Sequence, residues 1–523
     1  MTSSNLKQEG GRDGCSRRPF PAMLALLLTF AFALEANALE AAPRMVCGAP
    51  GLDGSDVVAV RCRPEFAQGA TVWTMQTEGL QRTCGAVPQG TRLPDGAGAA
   101  CGVVGEEVWF WRRLDRPERG GLRYRSWARE GAWYLDGATV LPEALEAGGR
   151  LVGEARWSDG GPTRPFALLR SRLWLGGEVV ASSDGLVTLV AEPGVAAFSD
   201  RVLATLKALR SRGWGEEVGE VVLIEATRRD YGSGRSVPGQ IVLEVGSALS
   251  SARVAELVQH EVAHQLVGGA IRVLASGRDV GWFLEGFAEY LGFAALRDDA
   301  GGRAALFRRF AEACATMGEG SEAASDYDVG FLYGAAVDGA LWRSQGITLA
   351  DRLRSLRSPD GRAVVFTDRE DFLGMEARSD FAAALLAGVP QAEAATLRRW
   401  FERSERPEVT ALAKALGVTL ATERVAWAGL PVVMQERRDG LFDVQAAPGG
   451  GLGLGLRAGD VVWPLAPWSG PAIAAQVPIE VQAGAAWQVV KVPTVRGWRQ
   501  RLRVATIEGV EQRWFGAFKG VEP

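Results

Sequence analysis

Histidine is nearly missing from this sequence, with two residues in 523. Chemistry that needs three or more imidazoles is thereby excluded, and the position of the two becomes the first question. Neither sign of charge dominates. The 58 Lys and Arg against 62 Asp and Glu leave a formal net charge of −4, without the basic footprint of a nucleic-acid binder, so no nucleic-acid partner is expected. Long apolar runs are scarce. The clearest, Met23 to Leu34, is short of the roughly 20 residues that span a bilayer, and no later segment would hold the protein in a membrane. No CxxC pair and no internal repeat is present. What remains, 47% hydrophobic and 23% charged, is ordinary globular sequence, long enough for about three domains.

The first residues read as an address. Arg17 and Arg18 precede the apolar run, and Ala36-Asn37-Ala38 supplies a small-x-small cleavage pattern, so residues 1–38 are expected to be a secretory signal and the protein periplasmic or secreted. Ser16-Arg17-Arg18-Pro19-Phe20 also resembles a twin-arginine signal, and an uncleaved signal anchor is the alternative. After cleavage no stable membrane insertion is expected. Four cysteines, Cys47, Cys62, Cys84 and Cys101, cluster early in the mature chain and predict two disulfides, with three connectivities open. Cys314, on an apolar face with Phe307 and Phe310, predicts a buried free thiol.

Periodicity divides the rest into three. Residues 39–185 show short alternating runs such as Val108-Trp109-Phe110-Trp111 between turn residues, which predicts a β-rich domain. Residues 186–424 turn helical, with helices expected over 199–210, 252–267, 282–297, 303–317 and 327–343, and strands over 220–225 and 240–245. Residues 425–523 return to strands and glycines. The fold class is therefore α+β and multidomain, with a mainly helical middle.

Both histidines fall in His260-Glu261-Val262-Ala263-His264. Four residues apart on a helix, the imidazoles lie one above the other and can grip one ion, with Glu261 beside them to work on water. Two randomly placed histidines would show this pattern about once in two thousand chains, so the motif outweighs coincidence. Catalytic zinc takes three protein ligands as a rule, and with no histidine left the third must be a carboxylate or thiolate. Glu285, among apolar and aromatic neighbours, is the best candidate, and Glu289, one turn further on, is placed to accept the second N–H of a ligating histidine. Two imidazoles and a carboxylate suit Zn2+.

These residues carry a resemblance. His260-Glu261-x-x-His264 followed by Trp282-Phe283-Leu284-Glu285-Gly286-Phe287-Ala288-Glu289-Tyr290 resembles the gluzincin metallopeptidases, and the run from Tyr327-Asp328-Val329-Gly330 to Leu356 is similar to the glycyl aminopeptidase family. That resemblance implies an N-terminal β domain, a thermolysin-like catalytic domain and a C-terminal PDZ-like domain. It implies a zinc peptidase with His260, His264 and Glu285 as ligands, Glu261 as general base, Tyr327 donating to the oxyanion, and a peptide or protein substrate. Gly429-Leu430, the strand from Leu441 to Gln445 and the turn Leu454-Gly455-Leu456-Arg457-Ala458-Gly459-Asp460 look like a PDZ ligand site, able to take a peptide carboxylate. A catalytically silent peptide-binding scaffold and a hydrolase of non-peptide amides are the alternatives.

Aminopeptidase specificity requires an acid for the substrate amine. Ser236 to Val242 contains none, and the nearest acids are Asp230 and Glu244. Glu244 shares strand parity with Gln240 and Val242 and is the residue expected to serve if the strand is shifted.

Overall fold

A computed structural model describes the chain from 44 to 507, continuously over 170–274, 281–298, 300–318 and 326–359 and in shorter stretches elsewhere. The expected signal, 1–38, lies outside the described residues, as do Leu454 and Gly455. No helix among those described is long and apolar enough to cross a membrane.

The early part is β-structure. An eight-stranded sheet places Val57–Pro64 between Arg44–Cys47 and Glu107–Arg113, and alternate residues such as Val58, Val60, Val108 and Phe110 fill its core. Cys47 and Cys62 sit opposite each other on adjacent antiparallel strands, which settles the connectivity as Cys47–Cys62 and Cys84–Cys101. Cys314 is free and buried.

The centre is built on a five-stranded sheet, in the order Val180–Ser183, Thr188–Ala191, Glu220–Glu225, Gln240–Val245, Gly232–Val237, so the last of these is an edge strand. Every residue of Gln240–Val245 is buried because both of its faces are covered. Ile241, Leu243 and Val245 join the large helical core. Val242, with Val222 and Ile224, meets Leu122, Trp127, Tyr134 and Leu173 from the early β part.

Five helices follow the expected periodicities: α1 (Ser199–Arg210), α2 (Ser251–His264), α3 (Gly281–Ala294), α4 (Ala300–Gly318) and α5 (Asp326–Gln345). Helix α2 starts where the Ser250 hydroxyl accepts the Arg253 N–H, an N-cap that satisfies one of the open first-turn donors. Helices α3 and α5 touch through bare backbone: a Cβ on Gly286 would lie 2.1 Å from Gly330 Cα. Buried Asp338 then ties them, accepting from the Tyr290 hydroxyl at 2.6 Å and Arg297 at 2.8 Å.

The late part holds a long antiparallel pair, Val418–Gly429 with Val495–Ile507, and a five-stranded antiparallel sheet with Val444, Leu456, Val462 and Ile479 in its core. Two expected divisions need correction. The cut at 424/425 falls inside the strand Val418–Gly429, and the cut at 185/186 falls in the turn of a hairpin whose strands both belong to the central sheet. At 185/186 a glycine marked a chain reversal and said nothing about which sheet the strands joined.

Candidate metal centre and cleft

Helix α2 supplies both imidazoles, and their second nitrogens fix their tautomers. His260 Nδ1–H donates to Glu289 Oε2 at 3.0 Å, and His264 Nδ1–H donates to the Val267 carbonyl at 3.2 Å. With both rings neutral, each Nε2 is therefore a lone pair. The two Nε2 atoms face each other at 3.0 Å, where neither can donate to the other, and Glu285 Oε2 lies 3.3 Å from His260 Nε2 and 3.4 Å from His264 Nε2. Three acceptors converging on one point form a cradle that a cation satisfies, and the three residues make the one such His/Cys/Asp/Glu group found among the described residues.

Charge follows the same logic. Burial alone would lower the His260 pKa, but hydrogen bonds to Glu285 and Glu289 outweigh it and bring it to about 10; a metal ion at Nε2 would take the place of that proton. Burial pushes the other way on Glu289, yet His260 and Arg309 hold it down at about 2. Glu285 is held well below the usual carboxylate range by the two histidines, against burial. Glu289 is oriented from behind. Its Oε1 accepts from Arg309 Nε at 2.8 Å, and Arg309 in turn donates to Asp328 at 2.8 Å.

Glu261 lies beside this group, buried, with Oε2 free of hydrogen-bond partners among the described residues. Burial raises its pKa, while His260 and His264 oppose the rise. The edge strand explains how it is held. Side chains at 232, 234 and 236 face α2 at 257, 261 and 265: a Cβ on Gly232 would lie 3.0 Å from Leu257, one on Gly234 would lie 2.3 Å from Glu261 Oε1, and Ser236 accepts from Gln265 at 2.6 Å. Two residues of strand advance about 6.6 Å and four of helix about 6 Å, so the two elements run in step. Gly234 leaves the space that the Glu261 carboxylate occupies.

Tyr327, at the start of α5, places its ring 5.5 Å from that of His260 and remains 41% exposed toward the cleft. Partial burial, then Glu285, raise its pKa, so the phenol stays protonated and able to donate. All these groups line one cleft of about 920 Å³.

Glu244 is not among them. It is fully buried on the opposite face of the sheet, accepts the backbone N–H groups of Leu122 at 2.8 Å and Arg123 at 3.3 Å, and lies 3.7 Å from the Arg123 guanidinium. Its expected role with a substrate amine is therefore corrected. Parity with Gln240 and Val242 carries Glu244 toward the early β part. Arg123, which Glu244 anchors, does line the cleft. Sequence reasoning missed Gly234, Arg123, Arg309 and Arg272. Only Gly232-Ser233-Gly234 carried a visible signal, the glycine pair of a strand approached closely by another element.

Among solved structures the chain is similar to an aminopeptidase N family protein from Idiomarina loihiensis, with a TM-score of 0.50, 11% identity, and coverage of 91% of this chain and 100% of that one. No family model and no curated protein matches the sequence. At that identity the likeness is one of fold.

Proposed function

We propose that this protein is an exported zinc-dependent peptidase. The observation that carries the reading is the convergence of the His260 and His264 lone pairs with Glu285, with the buried carboxylate of Glu261 alongside. A zinc ion held by His260, His264 and Glu285 would supply Lewis acidity at the cleft floor. Glu261, with its raised pKa, takes the proton of the attacking water and returns it to the leaving amine. Tyr327 donates a hydrogen bond to the oxygen on which negative charge develops. Gly232–Val237, an edge strand along the cleft, offers main-chain groups to an extended peptide. The fold shared with an aminopeptidase N family protein supports the reading, and the two disulfides are compatible with export.

Within it, cleavage inside a chain is favoured over removal of the first residue, because Gly232–Val237 carries no acid and Glu244 faces away. The test combines metal analysis of the purified protein with digestion of a mixed peptide library, with and without a chelator. One zinc per chain and chelator-sensitive cleavage are expected. A metal-replete protein that cleaves nothing would leave the peptide-binding scaffold as the better reading. A free-amine peptide and its N-acetylated twin should be cut equally.

A further inference from the structure

The cleft is lined by several arginines, and most have a carboxylate of their own. Arg123 lies by Glu244, Arg235 by Asp136, Arg253 by Glu256, and Arg309 by Glu289 and Asp328. Arg272 differs. After α2 the chain reverses at Gly268, whose φ of +91° suits glycine and whose N–H donates to the Ile271 carbonyl at 2.7 Å, and it returns as the strand Ile271–Leu274. Ile271 and Val273 enter the helical core, so alternation sends Arg272 to the other side, where it lines the cleft. Its Nε is buried without a hydrogen-bond partner, and no carboxylate among the described residues pairs with it.

A guanidinium nitrogen removed from water and left unmatched is costly, and proteins pair such groups almost without exception. In a cleft that holds a substrate, the missing acceptor can arrive with the substrate. Resting on the peptidase reading above, we propose that this cleft selects an anionic substrate, with Arg272 receiving its carboxylate. Arg272 lines the same cleft as His260, His264 and Glu285, and the reversal at Gly268, where a Cβ would lie 3.9 Å from His264 Nδ1, joins its strand to the helix that carries both histidines. An Arg fork suits a carboxylate and repels a substrate amine. The carboxylate is either an Asp or Glu side chain near the cleaved bond or the peptide's own C-terminus.

The experiment uses matched peptides with Glu, Gln or Lys at each position within three residues of the cleaved bond, each as C-terminal acid and amide. Wild type should favour Glu over Gln, or acid over amide, by about 10- to 100-fold in kcat/KM, as expected for a hydrogen bond between charged groups. Which of the two ratios departs from one identifies the source of the carboxylate. In Arg272→Gln that ratio should fall to near one, and in Arg272→Glu it should turn toward Lys. A wild-type ratio of one, a ratio that survives Arg272→Gln, or an equal loss in Arg308→Gln, an exposed arginine of the same cleft, would overturn the proposal. Should no peptide be cleaved, the peptidase reading fails by itself. Dissociation constants of the same peptides for the zinc-loaded Glu261→Gln protein, with and without Arg272→Gln, then decide the carboxylate site separately.

Discussion

The two faces of the strand Gln240–Val245 are both buried and do different work. Toward the helices, the strand Gln240–Val245 presents Ile241, Leu243 and Val245, all apolar and packed into the core that carries α2. Toward the early β part it presents Gln240, Val242 and Glu244. Both polar side chains there are spent on backbone: Gln240 exchanges two hydrogen bonds with Leu173, and Glu244 accepts from Leu122 and Arg123. The edge strand repeats the division, with Gly232, Gly234 and Ser236 facing α2 while Arg235 meets Asp136 on the other side. One face packs against the helix that carries His260, Glu261 and His264, and the other joins two parts of the chain. Polar residues on a strand thus do not by themselves mark a cleft, since a buried seam needs satisfied polar groups as well.

The largest effect is expected at Glu261. Glu261→Gln keeps the volume and leaves the three ligand residues untouched, so zinc content should stay at wild-type level while turnover falls by about 10²–10⁴ for the loss of a proton-transfer group. Turnover near wild type in the zinc-loaded variant would remove Glu261 from the mechanism. Gly234→Ala tests the same carboxylate from the strand. The added methyl has no room beside Glu261 Oε1 and must displace it, and misplacement by about 1 Å can cost on the order of 10²-fold in rate. Metal content should again hold, because Gly234 touches none of the ligands. Matching Ser233→Ala, at a cleft position of the same strand whose side chain does not face α2, should cost far less; equal losses would mean that the ladder between strand and helix does not set the carboxylate.

Next in size is the support behind the metal cradle. Glu289→Ala should lower zinc affinity by the roughly 10–100-fold typical of a residue that orients a ligand, and Glu285→Ala by more, measured by competition with a chromogenic chelator. Equal affinities for wild type and Glu285→Ala would mean that another group completes the cradle.

The helical half of the site was readable because its signal is local. His260, Glu261 and His264 share one helix, and Glu285 with Glu289 share another, so a spacing of four fixes their common faces without knowledge of the rest of the fold. Strands over 220–225 and 240–245 and the helix over 199–210 were legible from periodicity alone. The wall opposite was not readable. Arg123 reaches the cleft from a part of the chain more than a hundred residues earlier, and Arg309 meets Glu289 across two helices, contacts that no window of sequence contains. Parity placed Glu244 with Gln240 and Val242, which is where it stands. It could not say which of the two faces met the cleft, because polar residues on one face of a strand read the same whether that face meets a cleft or a buried seam.

The smallest effect is expected at Glu244, and it is read in stability. Burial raises its pKa to about 7, against the opposing pull of Arg123 and the two backbone amides. A carboxyl whose folded pKa lies above its unfolded value of about 4.5 binds more protons in the folded state between those limits. Its contribution is therefore fully present below about pH 4.5 and is lost as pH rises through 7, by no more than about 3 kcal/mol for a shift of this size. Glu244→Gln cannot ionise, and its side-chain oxygen can still accept from Leu122. The variant should thus gain stability relative to wild type as pH climbs from 4.5 to 7.5, read from calorimetric melting temperatures at both values, while any preference between free-amine and acetylated peptides stays unchanged. The opposite slope, with wild type gaining on the variant as pH rises, would show that Glu244 is ionised in the folded protein and that the seam is held by a charged pair with Arg123. A change in amine preference would return Glu244 to the cleft.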